Sequence, residues 1–247
     1  MVCTCKRRDA GTPFQGSPAA GLCWPDSSLA RSNTVREPAI TIDRVMAACA
    51  SLPEPAWHRI LDHPEPRMAA TLIPVVDVGG RAAVVVTKRA GDLDHGGDWV
   101  FPGGRVDDAD ASHRDAARRE AAEELGVDPT YIDVIGQLAT RGPIISGYVI
   151  ESYVGVLDRN AVLAPHAAEV ADVAIVPIAT LLAPDGHRRG PALVQRITPE
   201  QAEHIAVHAD LGNLRQYKVG EGEYLWGLQA DILHELLSHV TDGGHDF

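Results

Sequence analysis

Apolar and polar positions fall into blocks whose period changes along the chain. Met68–Val76 (MAATLIPVV) and Ala82–Lys88 (AAVVVTK) are near-continuous apolar runs rich in β-branched residues, and both predict strands. Asp77–Arg81, with Gly79 and Gly80 inside it, is a turn, so the two runs predict a hairpin at the centre of a sheet. Further strands are predicted over Tyr131–Ala139, Gly147–Leu157 and Ala168–Pro177, the last leading into a short helix, Ile178–Leu182. The period changes to helical in Tyr224–His239, where Leu228, Ile232, Leu233, Leu236 and Leu237 share one face. Between Ile42 and Leu61 two short helical patterns are separated by Pro53 and Pro55, with Trp57, Ile60 and Leu61 as core-facing positions. Strands alternating with helices around a hairpin-rich sheet predict an α/β class fold, an α/β/α sandwich with a mixed sheet.

One further helix carries chemistry. Ser112 is placed as its N-cap, with Asp115 three residues on as in a capping box, and Gly126 as its stop. Ala117, Ala121 and Leu125 make a face that packs on a sheet. Glu120, Glu123 and Glu124, spaced i, i+3, i+4, project from another. An acidic face is often no more than a solvated one. Here the lead-in favours chemistry: Phe101-Pro102-Gly103-Gly104 ends an apolar stretch in a tight turn, and two glycines let backbone approach a ligand closely. Arg119 adjoins Glu120 and can orient a carboxylate through charge-assisted hydrogen bonds. Three clustered carboxylates need positive charge among them, and Mg²⁺ or Mn²⁺ held by oxygens meets that need in phosphate chemistry.

Arg119-Glu120-Ala121-Ala122-Glu123-Glu124-Leu125-Gly126-Val127 resembles the second half of a Nudix box. The first half departs from that pattern. The interval from Gly104 to Arg119 is one residue longer than usual, and Asp107 and Asp110 replace the early glutamate. This departure resembles the coenzyme A diphosphatase branch, as do Thr87, Arg89, Gly97 and Phe101–Gly104 in order. Asp94 stands where that branch carries a second arginine. The resemblance implies metal ligation by Glu120, Glu123, Glu124 and the Gly104 carbonyl. Arg119, Glu120, Glu123 and Glu169 are the candidates for catalysis, the general base lying among the three glutamates. Arg89 and Arg141, with the turn at Phe101 and Gly103, are the candidate substrate contacts. The implied reaction is cleavage of a pyrophosphate linkage in a nucleoside diphosphate joined to another moiety. Coenzyme A or an acyl-CoA comes first, with ADP-ribose, NADH or a nucleoside triphosphate as alternatives. A nucleotide-sensing module without catalysis belongs to a different class, and the retained Arg119, Glu120, Glu123 and Glu124 count against it.

Composition narrows the picture further. With 247 residues, 45% of them hydrophobic, the chain can bury one core, and 39–247 is read as one such domain with helical extensions. The net charge of −12 argues against coating nucleic acid, and no apolar run approaches the roughly 20 residues of a membrane span. Residues 1–38 are rich in Gly, Pro, Ser and Arg without periodicity and read as a tail with no segment of signal-peptide type. Cys3, Cys5, Cys23 and Cys49 read as free thiols of a reduced, cytoplasmic protein. The polar stretch 184–222 is a long connection, read as a substrate-covering loop or an oligomer contact, a homodimer being the simplest case. Thr198–His204 starts a short helix there, and His187, His204 and His208 are read as solvated.

Overall fold

The computed structural model describes residues 40–60, 62–91, 96–142, 146–191 and 212–241. The expectations for the tail, for Cys3, Cys5, Cys23, Leu61 and Asp94, and for Thr198–His208 lie outside those residues.

The order of elements is α1 (Ile42–Ala50), β1 (Trp57–His58), β2 (Arg67–Asp77), β3 (Ala82–Arg89), β4 (Trp99–Val100), β5 (Gly103–Arg105) and α2 (His113–Leu125). There follow β6 (Ile132–Gln137), β7 (Thr140–Arg141), β8 (Tyr148–Leu157), β9 (Val170–Pro177), α3 (Ile178–Leu182), β10 (His187–Gly190), β11 (Leu214–Gly220), β12 (Glu223–Trp226) and α4 (Gly227–Val240). The strands form one mixed sheet in the order β1-β7-β8-β2-β3-β4-β12-β11-β10, with β5 on β2, β6 on β8 and β9 on β3.

The apolar runs of β2 and β3 are continuous because both faces of these strands are covered. Alternate residues enter separate cores. Leu72, Val76, Ala83 and Val85 pack with Ala117, Ala121 and Leu125 of α2. Ile73, Val75, Val84 and Val86 pack with Val45 of α1, Ile178 of α3 and Ile232, Leu233 and Leu236 of α4. This is the expected sandwich: among the described helices, α2 lies on one face and α1, α3 and α4 on the other.

The hairpin of β2 and β3 is paired only near its turn, from Asp77↔Ala82 to Val75↔Val84. Beyond that the two strands part. β3 continues against β9, while β5 takes the vacated edge of β2, with Ala69↔Arg105, Ala70↔Gly104 and Thr71↔Gly103 in register. The fork between β3 and β5 lies under α2.

The second helix expected before Leu61 is replaced by β1, which runs parallel to β7. Pro53 and Pro55 favour extended backbone around them, and that backbone finds hydrogen bonds at a sheet edge. Trp57 is therefore not a core residue. It is 64% exposed, and its indole N–H donates to the Gly142 carbonyl at 3.1 Å. The strand expected from Tyr131 begins one residue later, because Asp128 caps a 3-10 turn over Pro129–Tyr131.

Candidate active site

Helix α2 presents the carboxylates, and its ends are fixed locally. The Ser112 hydroxyl accepts the Asp115 N–H at 3.1 Å and donates to the Asp115 carboxylate at 2.7 Å. At the other end Gly126 has φ of 63°, and a Cβ there would collide with the Ala164 carbonyl. The Val127 N–H returns to the Ala122 carbonyl and closes the helix.

The three glutamates occupy three environments. Glu124 is buried in the fork between β3 and β5, at 5% exposure. The Thr87 hydroxyl donates to its Oε2 at 3.2 Å, and the Gly103 N–H approaches its Oε1 at 3.4 Å. Burial pushes this carboxyl up to about 7, against the opposing pull of the Gly103 N–H, Arg89 and Thr87. Glu120 is partly buried beside Gly104, where any Cβ would strike its carboxylate. Burial raises the Glu120 carboxyl as well, Arg119 opposes that rise, and Glu123 and Glu169 add to it. Glu123 points outward, its side chain 57% exposed.

Arg119 ties this side of the helix together. Its Nη1 donates to Glu120 Oε1 at 2.8 Å and to Glu123 Oε2 at 3.3 Å. Its Nε and Nη2 donate to the two oxygens of Asp110, each at 2.9 Å, and Nη2 also reaches the Arg105 carbonyl at 3.1 Å. The hydrogen bond from Arg119 holds the Asp110 carboxyl down at about 2. The same pairing, with Glu120 contributing, raises Arg119 further into its charged range. Asp110 also accepts the Asp107 N–H at 2.9 Å, so the two aspartates form one closed loop.

Four further candidates are placed as follows. Glu169 lies at the entry to β9, half exposed, 3.7 Å from His166, and its charge reaches Glu120. Its carbonyl accepts the Ala90 N–H next to Arg89. Arg89 ends β3, and its charge acts on Glu124. Gly103 and Gly104 line the carboxylates with bare backbone. The fork therefore brings together Glu120, Glu124, Glu169, Arg89 and the glycine turn.

Two candidates lie elsewhere. The Phe101 side chain is 2% exposed and belongs to the core beneath α4. Its N–H donates to Gln229 of α4 at 3.1 Å, so Phe101 anchors the turn and has no face for a substrate. Arg141 is buried, with Nη2 on Glu235 of α4 at 2.5 Å and Nη1 on the Ala139 carbonyl at 3.0 Å. Its charge is used inside the fold, between β7 and α4.

Two features of the site are not read from the sequence. Thr87 carries the resemblance there, and its role as the hydrogen-bond partner of Glu124 comes from the fold. The available signal was a hydroxyl within an otherwise apolar buried run. The forked Asp110–Arg119 bond was not anticipated either, although both residues had been singled out.

Among the described residues no three His, Cys, Asp or Glu side chains stand ready-made around one point. The geometry explains this, since Arg119 draws Glu120 and Glu123 sideways while Thr87 and Gly103 hold Glu124 inside the fork. The donors are all hard oxygens beside a glycine backbone that no side chain obstructs, and this chemistry suits a hard divalent cation. No helix among the described residues is long and apolar enough to cross a membrane.

Comparison with known proteins gives consistent results. Residues 65–197 match the NUDIX domain family. An uncharacterised Nudix hydrolase designated NudL from Cronobacter sakazakii is 34% identical over 183 residues, covering 71% of this chain and 84% of that protein. Its namesake from Salmonella dublin is 32% identical over 208 residues, covering 81% and 95%. A MutT/nudix family protein from Enterococcus faecalis superposes with a TM-score of 0.45 at 15% identity, covering 82% of this chain and 70% of that one. The family match extends from the strand before the glycine turn to beyond the carboxylate helix, so it takes in the whole fork, and the chain belongs to the Nudix hydrolase family.

Proposed function

We propose that this Nudix hydrolase uses Mg²⁺ or Mn²⁺ to cleave the pyrophosphate linkage of coenzyme A or an acyl-CoA. ADP-ribose, NADH and a nucleoside triphosphate are the alternative substrates. The observation that carries the reading is the fork itself: a buried Glu124 and a half-buried Glu120 on one helix, facing bare glycine backbone, with Arg89 and Glu169 beside them. Thr87, Arg89, Gly97, Asp107 and Asp110 favour the coenzyme A branch within that class.

Glu120, Glu123 and Glu124, with the Gly104 carbonyl, are the residues that would hold the cation. When bound, it supplies neutralisation of phosphate charge and an acidified water. The chain's own groups do the rest. Arg119 fixes Glu120 and stays off the substrate. Arg89 offsets the negative charge of the substrate phosphate at the mouth of the fork. Glu169 takes the proton of the attacking water, because Glu120 and Glu123 share Arg119 while Glu124 is held by Thr87 and Gly103. A water oxygen bonds to phosphorus as the bridging P–O bond breaks, and two phosphate monoesters leave.

The small nucleotide is the proposed partner. The net charge of −12 argues against nucleic acid. A second copy of the chain is the one macromolecular partner kept, and light scattering reads it. The compartment is taken as the cytoplasm, and residues 39–247 as a single catalytic domain.

The test is turnover with Mg²⁺ or Mn²⁺ on coenzyme A, ADP-ribose, NADH and a nucleoside triphosphate, with Glu124→Gln as control. Conversion of coenzyme A to a phosphopantetheine and an adenosine bisphosphate supports the branch. Preference for another compound moves the substrate and keeps the chemistry. Tight binding with no cleavage of any compound replaces the enzyme with a sensor.

A further inference from the structure

The glycine turn faces the carboxylates on one side and is itself held from the other. Phe101 and Pro102 lie between β4, which ends at Val100, and β5, which starts at Gly103. On the side of β2 the adjacent strand fixes them. The Pro102 carbonyl accepts the Leu72 N–H at 2.9 Å and the buried Thr71 hydroxyl at 3.0 Å. On the side of α4 the support is one side chain. The Phe101 N–H donates to Gln229 Oε1 at 3.1 Å, across 128 positions of sequence. A backbone N–H at the edge of the core needs an acceptor, and Gln229 supplies it.

Gln229 is delivered by the join of β12 and α4. Leu225 of β12 pairs with Trp99 of β4, shortly before Phe101. Gly227, with φ of 60°, turns the strand directly into the helix with no intervening loop. The pairing of β12 with β4 thus sets Gln229 beside Phe101. Ala230, Ile232, Leu233 and Leu236 then seat α4 on the same core that takes the Phe101 ring. Further along, α4 makes a second contact of this kind, where Glu235 Oε1 accepts the Ala139 N–H at 2.9 Å. That contact is braced by Arg141 and lies at β7, away from the fork.

The path from Gln229 to the site is short. The Gly103 N–H approaches Glu124 Oε1 at 3.4 Å, beyond the usual range for such a bond, so its strength depends closely on where the turn sits. The turn is packed tightly on two sides. A Cβ on Gly103 would meet the Ala70 carbonyl oxygen at 2.5 Å, and one on Gly104 would meet the Glu120 carboxylate at 2.4 Å. Gln229 fixes it on the side of α4.

We propose that Gln229 is a positioning residue for the catalytic site. Through the Phe101 N–H it holds the glycine turn where the Gly103 N–H meets Glu124, and it acts on the cation site by that route alone. The inference rests on the catalytic reading above and adds to it a residue from the last helix, whose sequence pattern discloses only an apolar face.

Calorimetry of Mn²⁺ binding to the full chain without substrate tests it, beside kcat and KM for a compound of the turnover panel. Removing a partner of a metal-binding carboxylate typically costs about 10–100-fold in metal affinity or activity. Gln229 acts one link further out, which sets its effect at the low end. Gln229→Met keeps the volume without the acceptor; it weakens Mn²⁺ binding roughly tenfold and lowers kcat about as much, with KM within about twofold. Gln229→Glu keeps an acceptor for the Phe101 N–H and stays within about threefold of the unaltered chain. In a Glu124→Gln background Gln229→Met weakens Mn²⁺ binding no further, because both changes act along one path. Arg141→Met, which disturbs the other contact of α4, lowers Tm and leaves Mn²⁺ affinity as it was. Absence of Mn²⁺ binding by the unaltered chain, unchanged affinity in Gln229→Met, an equal loss in Gln229→Glu or Arg141→Met, or full additivity with Glu124→Gln overturns the proposal. Failure of the catalytic reading is a separate result, the absence of hydrolysis of every compound in the turnover panel.

Discussion

Asp110→Asn is the perturbation that most directly tests how the carboxylate helix is braced. Both oxygens of Asp110 accept from Arg119 at 2.9 Å, and the Asp110 side chain is 6% exposed against 30% for Arg119. The amide keeps one acceptor, loses the other to an NH₂ that faces a guanidinium, and removes the charge. Hydrogen bonds to charged partners contribute about 1.5–3 kcal/mol each. Solvent at the partly open Arg119 screens the pair, so the loss is set at about 1–2 kcal/mol. For a domain of this size that corresponds to a fall in Tm of about 2–8 °C at pH 7.

The pH dependence gives a second reading on the same sample. Arg119 holds the folded Asp110 carboxyl at about 2, below its value in the unfolded chain. A group depressed in this way stabilises the fold above its unfolded value of about 3.9, and the contribution is lost as pH falls through about 2. The Tm gap between wild type and Asp110→Asn is therefore constant from pH 7 down to about 5 and narrows below pH 4. Differential scanning fluorimetry at a series of pH values measures it. An unchanged Tm at pH 7, or a gap that widens on acidification, refutes the reasoning. Turnover falls together with stability, because Glu120 and Glu123 lose the fixed position of their shared cation.

Three other perturbations probe different links. Gly126→Ala forces a Cβ against the Ala164 carbonyl at a φ of 63°, and it lowers stability by more than the 1–2 kcal/mol of the left-handed conformation alone, as read by urea unfolding. Arg141→Met leaves Glu235 without its cation between β7 and α4 and costs about 2–4 kcal/mol of stability, whereas AMP affinity measured on the folded variant is unaltered. Burial pushes the Cys49 thiol up to about 11, so its tryptic peptide resists alkylation at pH 8 until the chain is unfolded; rapid native labelling of that peptide contradicts its place in the core.

Much of this was legible in the residues. The bounds of α2 followed from Ser112 and Gly126, because caps are local chemistry that a short stretch specifies completely. The apolar runs of β2 and β3 announced buried strands, since a period of one is what covering both faces requires. What failed was long-range. Nothing near Arg141 discloses that Glu235, 94 positions later, takes its charge. Nothing in the glycine turn shows that Phe101 packs beneath α4 while the Gly103 N–H meets Glu124 of α2: period-two alternation would put positions 101 and 103 on one face, and the passage from β4 to β5 between them breaks it. Trp57 was misplaced for the converse reason: a large apolar residue suggests burial, and its position at a sheet edge is a property of its pairing with β7.

The parting of β2 and β3 reconciles a stable core with a charged site. A fully paired hairpin would close the sheet beneath α2, and Glu124, on a face otherwise made of Ala117, Ala121 and Leu125, would be an uncompensated buried charge. Because β3 leaves at Val84 and β5 enters at Gly103, the helix meets a hydroxyl and a backbone N–H where it would otherwise meet aliphatic side chains. Those two donors satisfy the carboxylate in part, and the remaining desolvation is what raises its pKa. The same departure carries β3 on to β4 and leads the sheet toward β12, β11 and β10. The break in pairing thus makes room for the buried carboxylate without ending the sheet.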